Sequence, residues 1–392
     1  MAYNPTLVTI IVVLVAAIAI GLGLGLGIGL SKPGDPRQKA GEWIAVGNQT
    51  ADTFSSGNIQ ISGLGRKWES LEDDDYGSGT DLTQMWSIDH SGDRWVIGGG
   101  RSDPSKSAII YSDDGRNWKN STYTDSGTST IIKTVAYGGG SWLAGRNIYP
   151  SGIVSANNYG NIRISTDGID WSTESSSGVS FGIVRSIAYG TCSSGPSWVA
   201  YAATFPVVQT GNQLFWSNDG SSWNPSSGDG FQRNDFEFGG VAYSENQGRW
   251  VVTGFSSGTI TNQNILWSDN GTCWVYSTSN GDYHFRGNDV AYGKDKWVSV
   301  GSASAGERAI LYSTDGKTWN QTNGNEMTTV RGVHYGNDLW MAVGLRSDGV
   351  SVEETIVTST NGISWTPLDS GNGGFGSGGV GAGGNAVAYK SS

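Results

Sequence analysis

The chain has 392 residues and a formal net charge of −11 at pH 7, and it is rich in Gly (61 residues) and Trp (17 residues). This composition favours many short strands joined by tight turns. The acidic charge and the lack of a basic tract argue against nucleic acid as a partner, because phosphates require clustered Lys and Arg. Two cysteines and three scattered histidines provide neither a disulfide framework nor metal-ligand spacing, so we expect no metal and no cofactor.

The N-terminal segment contains an uncharged run of 24 residues, Leu7 to Leu30. As a helix it would span roughly 36 Å, enough to cross a bilayer core of about 30 Å. A signal peptide is the alternative, but its apolar region is shorter and follows positive charge, whereas no Lys or Arg precedes this run. We therefore predict a transmembrane anchor over residues 1–31, a polar linker over 32–41 and one folded domain over 42–392.

Two further features bear on the predicted anchor. Its glycines at positions 21, 25 and 29 form a small-residue face that predicts self-association in lipid, although Gly is also simply tolerated in membrane helices.

Basic residues follow the helix and none precedes it, which by the positive-inside rule favours a cytoplasmic domain. Four N-x-S/T sequons favour an extracytoplasmic domain, which we expect for this single-pass protein. They predict glycosylation at Asn48, Asn120, Asn270 and Asn320.

A repeated motif, Ser-x-Asp/Asn-Gly-x-x-Trp, dominates the chain after residue 41; we call each copy a box. A Trp that opens an apolar strand precedes every box, and a strand of Val-Ala-Tyr type precedes most of those. Four strands per repeat of about 50 residues are typical of a propeller blade. Six clear boxes and a degenerate first one close on Trp68, Trp118, Trp171, Trp223, Trp274, Trp319 and Trp365.

The two ends of the repeat array complement each other. The first repeat lacks its opening strand, because Trp43 follows the linker directly, and the last residues, NAVAYKSS, are an opening strand with nothing after it. We expect Val387–Tyr389 to pair with Trp43–Gly47, which removes an exposed sheet edge. The sequence thus predicts an all-β, seven-bladed β-propeller closed by the C-terminal strand, with one N-terminal transmembrane helix.

The box residues are predicted to be structural. The Ser and Asp side chains accept hydrogen bonds from backbone N–H groups, Gly supplies a positive φ, and Trp packs between neighbouring sheets. These residues hold blades together and form no functional site. They are Asp114, Asp167, Asp219 and Asp315, with Trp118, Trp171, Trp223, Trp274, Trp319 and Trp365.

On these motifs, residues 42–392 resemble the Asp-box (BNR) repeat propellers, which include sialidases and many non-enzymatic surface proteins. The boxes here are one residue shorter than the usual form, and seven-bladed photosystem assembly factors carry similar repeats. Sialidases use three arginines, a Tyr–Glu pair and an Asp, and they carry a Phe-Arg-Ile-Pro signature. That signature is missing here, and no position matches the Tyr–Glu pair. The resemblance implies a propeller without catalytic residues.

A candidate binding site follows from aligning the opening strands, which line the channel of a propeller. Lys133, Arg185 and Arg331, with Arg286 nearby, predict a cationic mouth for a carboxylate, sulfate or phosphate. Ion pairs to Glu237 and Asp289 are the alternative. One aligned position near the channel mouth, which we call the mouth ring, holds Trp86, Lys133, Arg185, Gly239, Asn288, Arg331 and Asn385.

The remaining candidates are weaker. The acidic run Glu72–Asp75 lacks the spacing of a calcium loop. His90 and His334 replace Tyr and Ala at repeat positions, as scaffold variation. Cys192 and Cys273 lie on one face of adjacent blades, and both a disulfide and free thiols remain open. The loops of the mouth rim are rich in aromatic and polar residues. These residues suit the binding of sugars or protein epitopes, or alternatively they pack the loops against the domain. The loops span 147–160, 204–213, 229–238 and 280–289.

Together these features predict a membrane-anchored, non-enzymatic binding or display module that recognises a glycan or a protein at the channel mouth. A structural component of a membrane-associated or virion assembly is the alternative from another class. A sialidase-like glycosidase is the second alternative.

Overall fold

The structure, a computed structural model, describes the repeat region with gaps. All described residues belong to the second of two parts into which internal contacts divide the chain, residues 41–392. The predicted anchor and linker lie outside them, and no helix among the described residues is long and apolar enough to cross a bilayer. The described ranges are 41–48, 59–71, 82–101, 107–123, 130–148, 162–172, 181–192, 195–204, 214–228, 236–256, 264–279, 285–303, 307–323, 327–345, 355–368, 375 and 383–391.

Every regular element in these ranges is a β-strand, which confirms the predicted all-β class. The strands, numbered in chain order, repeat in units of up to four. The inner strand of each unit is β4 (Leu82–His90), β8 (Thr130–Gly138), β11 (Phe181–Tyr189), β16 (Phe236–Ser244), β21 (Phe285–Gly293), β25 (Thr329–Gly336) or β29 (Gly383–Lys390). The second strand is β5 (Trp95–Arg101), β9 (Ser141–Ile148), β12 (Trp198–Thr204), β17 (Arg249–Ser256), β22 (Lys296–Ala303), β26 (Leu339–Leu345) or, for β29, β1 (Glu42–Asn48).

The outer half of each unit is shorter. The third strand is β2 (Ile59–Ser62), β6 (Ile109–Ser112), β10 (Ile162–Ser165), β13 (Leu214–Ser217), β18 (Ile265–Ser268), β23 (Ile310–Ser313) or β27 (Ile356–Ser359). The fourth is β3 (Glu69–Ser70), β7 (Lys119–Asn120), β14 (Asn224–Pro225), β19 (Cys273–Tyr276), β24 (Thr318–Gln321) or β28 (Thr366–Pro367), and β15 (Ser227–Gly228) and β20 (Thr278–Ser279) lie beyond β14 and β19. Neighbouring strands within a unit pair antiparallel.

The inner strands lie side by side around a common channel. Each contacts the inner strand of the next unit, and β29 in turn contacts β4. The pairing predicted between the two ends of the array is present, since Trp43 lies opposite Tyr389 and Ala45 opposite Val387. The first unit is therefore built from both ends of the repeat region.

Each box forms a hydrogen-bonded turn between the third and fourth strands, as the range Ser217–Trp223 illustrates. The aspartate Oδ1 accepts the serine hydroxyl at 2.9 Å and the N–H groups of the two residues after the glycine at 2.8 and 2.7 Å. The glycine has a φ of +75°, donates its N–H to the serine Oγ, and accepts the Trp Nε1–H at 2.9 Å. Asn270 and Asn361 accept the equivalent bonds in their own boxes.

The box carboxylate gives a first testable expectation. Burial alone would raise the pKa of Asp219, but hydrogen bonds from the N–H groups of Ser222 and Ser221 outweigh it and hold the pKa below its usual value. We expect Asp219→Ala to lower the free energy of unfolding by about 1–3 kcal/mol, because two N–H donors and one hydroxyl lose their acceptor. Urea denaturation measures the change.

The matched control is Asp219→Asn, which reproduces the amide already present at Asn270 and Asn361 and should cost less than about 1 kcal/mol. Equal losses for the Ala and Asn variants would contradict the assigned hydrogen bonds.

An aromatic pair marks the end of each inner strand far from the mouth ring. The last aromatic residue of the strand packs in a tilted or edge-on orientation against the Trp near the start of the second strand, with ring centroids 4.7 to 5.1 Å apart. His90 takes the place of Tyr in one unit and stacks on Trp95. The glycine that follows this aromatic residue cannot be replaced by a larger residue without a clash, since a Cβ at Gly293 would lie 2.2 Å from the ring of Tyr335. Box serines pair with these tryptophans, so the box turns lie on the side opposite the mouth ring.

The outer edges of neighbouring units are joined at four junctions among the described residues. At each one, the residue four positions after a box Trp donates its N–H to the carbonyl two positions before the next box Trp. The donor–acceptor pairs are Thr122–Ile169, Ser227–Thr272, Thr278–Lys317 and Asn323–Ile363, at 2.8 to 3.0 Å. In two of them the contact is a short parallel pairing, of β15 with β19 and of β20 with β24.

Candidate functional site

The mouth ring lies where two cavities meet. A channel of about 440 Å³ runs between the inner strands, and a basin of about 510 Å³ adjoins it on the mouth side. All seven mouth-ring residues line both cavities. The structure therefore brings together residues that the alignment of opening strands placed at one level.

Lys133 is a half-buried cation of the ring. Its Nζ lies 3.0 Å from the centroid of the Trp86 ring, and no carboxylate among the described residues contacts it. Burial, followed by the positive charges of Arg185 and Arg331, lowers the pKa of Lys133 to about 7. The attraction of an indole face for a protonated amine, about 0.5–2 kcal/mol, is too small to offset those effects.

Arg331 is half-buried, and its guanidinium group is held by the side-chain amide of Asn385. It donates to Asn385 Oδ1 at 2.7 Å, and burial lowers its pKa. Asn385 in turn donates to Met85 O at 2.6 Å and to Asn48 Oδ1 at 3.2 Å. These contacts orient Arg331 without neutralising it, which leaves its charge available to a ligand.

Arg185 and Arg286 share one carboxylate. Their guanidinium groups lie 3.4 and 3.9 Å from Glu237 Oε2, and all three side chains are exposed. Arg286 also lies over the Phe255 ring, 3.8 Å from its centroid. The ion pairs considered as an alternative thus exist for these two arginines, although exposed pairs of this kind contribute little. The basin carries four cationic groups against this one acidic group.

Asp289, the other acid considered as a partner, has a different role. Its Oδ1 accepts the Val290 N–H at 2.8 Å and its Oδ2 accepts the Val333 N–H of the next inner strand at 3.0 Å. Burial raises the pKa of Asp289 to about 7. At the same level, Ser186 accepts the Val241 N–H at 3.1 Å. These side chains connect inner strands and do not face the mouth cations.

Asp89 and His334 also line the channel below the ring. Asp89 accepts the Tyr137 N–H of the next inner strand at 2.8 Å, and burial raises its pKa. Burial, with a smaller contribution from His90, lowers the pKa of His334 to about 4, and its ring lies 6.0 Å from that of Trp43. His334 is therefore a neutral scaffold residue. Among the described residues, no group of three or more His, Cys, Asp and Glu could hold a metal.

The structure adds basin residues that the alignment missed. Asn147 is 2% exposed, and its Oδ1 has no hydrogen-bond partner among the described residues. The Nε1 of Trp86 also has no hydrogen-bond partner among the described residues. Asn147 and Phe255 lie near the ends of second strands. Aligning those ends as well as the opening strands would have found them.

The other predicted sites are placed as follows. Cys192 and Cys273 are free thiols, which decides the alternative left open by the sequence. Asn48 ends β1, Asn120 and Asn320 lie on the short outer strands β7 and β24, and Asn270 is exposed in a box turn. The acidic run Glu72–Asp75 and most of the aromatic rim loops lie outside the described residues.

Comparisons with known proteins bear on the fold alone. The chain is similar to a structure described as YCF48 bound to D1 peptide, a β-propeller, with a TM-score of 0.50 and 16% identity over 78% of this chain and 86% of that chain. This likeness confirms a propeller fold. No protein-family model and no curated protein matches the chain, so the Asp-box resemblance remains a prediction.

Two further similar structures have lower TM-scores. The computationally designed Ika8 protein has a TM-score of 0.45 and 10% identity, over 86% of this chain and 88% of that chain. PorZ, a bacterial surface component of the type-IX secretion system of Porphyromonas gingivalis, has a TM-score of 0.38 and 12% identity, over 76% of this chain and 42% of that chain.

Proposed function

We propose that the chain is a seven-bladed propeller on an N-terminal membrane anchor, and that it binds an acidic ligand at its mouth without catalysing a reaction. The seven inner strands, each in contact with the next, support the blade count. The apolar run from Leu7 to Leu30 supports the anchor. The domain lies on the extracytoplasmic side in this proposal, where its mouth meets glycans or proteins.

The observation that carries the proposal is the pair of half-buried, unneutralised cations in the mouth ring. Lys133 and Arg331 contact no carboxylate among the described residues, although the protein as a whole carries a net charge of −11. A partly buried cation without a partner is unfavourable, so an entering carboxylate or sulfate gains from the pairing more than it would at an exposed Arg.

The surroundings of the two cations supply the rest of a recognition site. Asn147 and Trp86 line the basin, and the buried Oδ1 of Asn147 and Nε1 of Trp86 have no hydrogen-bond partner among the described residues. Phe255 and Trp86 also line the basin with their rings, over which Arg286 and Lys133 lie. An acid that also carries hydroxyl or amide groups matches this combination, which favours a sialylated or sulfated glycan. A propeller of similar fold is described in complex with a peptide, so an acidic peptide is the second ligand class to test.

The test is an array of sialylated, sulfated and matching neutral glycans, together with acidic peptides, probed with the full chain in detergent. We expect binding to acidic probes and at least about tenfold weaker binding for Arg331→Gln, because that variant loses a charge but can still bond to Asn385. The matched control is Arg116→Gln in a box turn on the opposite side, which should bind as the unchanged protein does.

Each outcome of the array decides a separate part of the proposal. Binding to acidic peptides alone would make the ligand a protein. Equal binding of acidic and neutral probes, or equal losses for the two Gln variants, would overturn the cationic mouth as the binding site. No binding to any acidic probe by the folded chain would overturn recognition of acidic ligands and favour a structural role.

A further inference from the structure

The amine of Lys133 occupies an unusual position for a surface-accessible lysine. It lies against an indole face at 3.0 Å, lines both the channel and the basin, and has two guanidinium groups of the ring as its charged neighbours. The remaining charged groups of the basin are Arg286 and Glu237, and Glu237 pairs with both Arg286 and Arg185. The amine can therefore be reached by small solutes yet has no acidic partner among the described residues.

While no anion is bound, burial and the two guanidinium groups keep a large share of the amine unprotonated at neutral pH, as its lowered pKa also indicates, and a bound anion favours the charged form. An unprotonated lysine next to other cations is the form in which lysine attacks carbonyl carbon atoms. A lysine in bulk solvent is protonated at neutral pH and reacts slowly. The position of Lys133 thus provides a nucleophile as well as a binding group.

The neighbouring guanidinium groups select the kind of carbonyl compound. Arg331 is oriented by Asn385 and carries no acidic partner among the described residues, and Arg185 is held only by an exposed ion pair at 3.4 Å. Guanidinium groups bind planar carboxylates through paired N–H donors. We propose that Lys133 captures a 2-oxo carboxylate as a reversible imine while Arg331 and Arg185 hold the carboxylate. This inference rests on the proposed anion site and adds a covalent step to it.

The step balances without an oxidant or a reductant. The lone pair of Nζ forms a bond to the oxo carbon, and the π electrons of the carbonyl group move to its oxygen, which takes a proton from water. The nitrogen then gives up one proton, which restores the water, and its second proton passes to the hydroxyl group, which leaves as water while a C=N bond forms. One amine and one 2-oxo acid thus give one imine and one water, and hydrolysis reverses the reaction.

The test uses pyruvate as the probe and cyanoborohydride to reduce any imine to a stable amine, followed by peptide mapping by mass spectrometry. The full chain at neutral pH should be labelled at Lys133 at least about tenfold faster than at Lys119, the internal reference on an outer strand. Labelling of Lys133 no faster than Lys119 would overturn the proposal.

A second variant separates carboxylate binding from a general effect on the amine. Arg331→Gln should reduce labelling by pyruvate at least about fivefold more than labelling by acetaldehyde, which lacks a carboxylate. Equal reductions for both probes would overturn the role of Arg331 in holding the carboxylate. If Lys133 is not labelled while glycan or peptide binding still depends on Arg331, the covalent step fails and the proposed binding function stands.

Discussion

Trp340→Ala is expected to lower the free energy of unfolding by about 3–5 kcal/mol, as large truncations of buried aromatic residues do. Trp340 is fully buried, with 0% exposure, and its ring lies 5.0 Å from that of Tyr335 in the same unit. It also packs in one apolar cluster with Val298 and Val300 of the preceding unit. The cavity left by alanine would therefore loosen two units at once. The midpoint of urea denaturation, with its slope, measures the change.

The matched variant for this experiment is Trp340→Phe. Phenylalanine keeps an aromatic ring in the cluster, and the Nε1 of Trp340 has no hydrogen-bond partner among the described residues to lose. We expect a loss of less than about 2 kcal/mol. A loss below about 1 kcal/mol for Trp340→Ala would show that the units do not depend on this ring for their packing.

Asp289 should make the protein less stable at neutral pH than in mild acid. Burial raises the pKa of this carboxyl from 3.8 to about 7, so between these values the folded protein binds a proton that the unfolded chain has released. The free energy of unfolding then falls as the pH rises from about 4 to about 7 and is level above that. The full shift corresponds to about 4 kcal/mol, and the contribution is smaller than this because the side chain is only half-buried in the channel wall.

Denaturation of the unchanged protein and of Asp289→Asn across this pH range isolates the effect. The amide does not titrate, so the variant should lose less stability than the unchanged protein between about pH 4 and 7, with Asp89 acting equally in both. Ser186→Ala is the matched control, since it removes a connection at the same level without a titrating group. Parallel pH profiles for the unchanged protein and Asp289→Asn would contradict the raised pKa.

The regular spacing of the repeats explains why the sequence predicted so much of the fold and the residues of the ring. Each opening strand has its aromatic residue opposite a Trp, as in Tyr137 with Trp142, so aligning these pairs also aligns the mouth position. Each mouth residue lies four positions before that aromatic residue, as Lys133 does before Tyr137, so all of them lie at one level, where the register with the second strand shifts. The strand pairing across the ends of the array follows from the same register.

What the repeat pattern did not reveal depends on side-chain directions across unit boundaries. Glu237 is 52 residues from Arg185 in the chain, and only the packed structure shows that it pairs with Arg185 and not with Lys133. The stacking of Lys133 on Trp86 and the support of Arg331 by Asn385 are equally non-local. Neither contact produces a recognisable spacing of residues in the sequence, because each joins two different repeats at a position where the repeats differ.

The pairing of β29 with β1 also determines when the first unit can form during biosynthesis. Strand β29 follows every other described strand in the chain, so the first unit stays incomplete until the ribosome has released all of them. Asn385, which orients Arg331, lies on that same strand. Assembly of the mouth thus waits for the synthesis of β29, and a nascent chain stalled before β29 would lack both the closing strand and the side chain that orients Arg331.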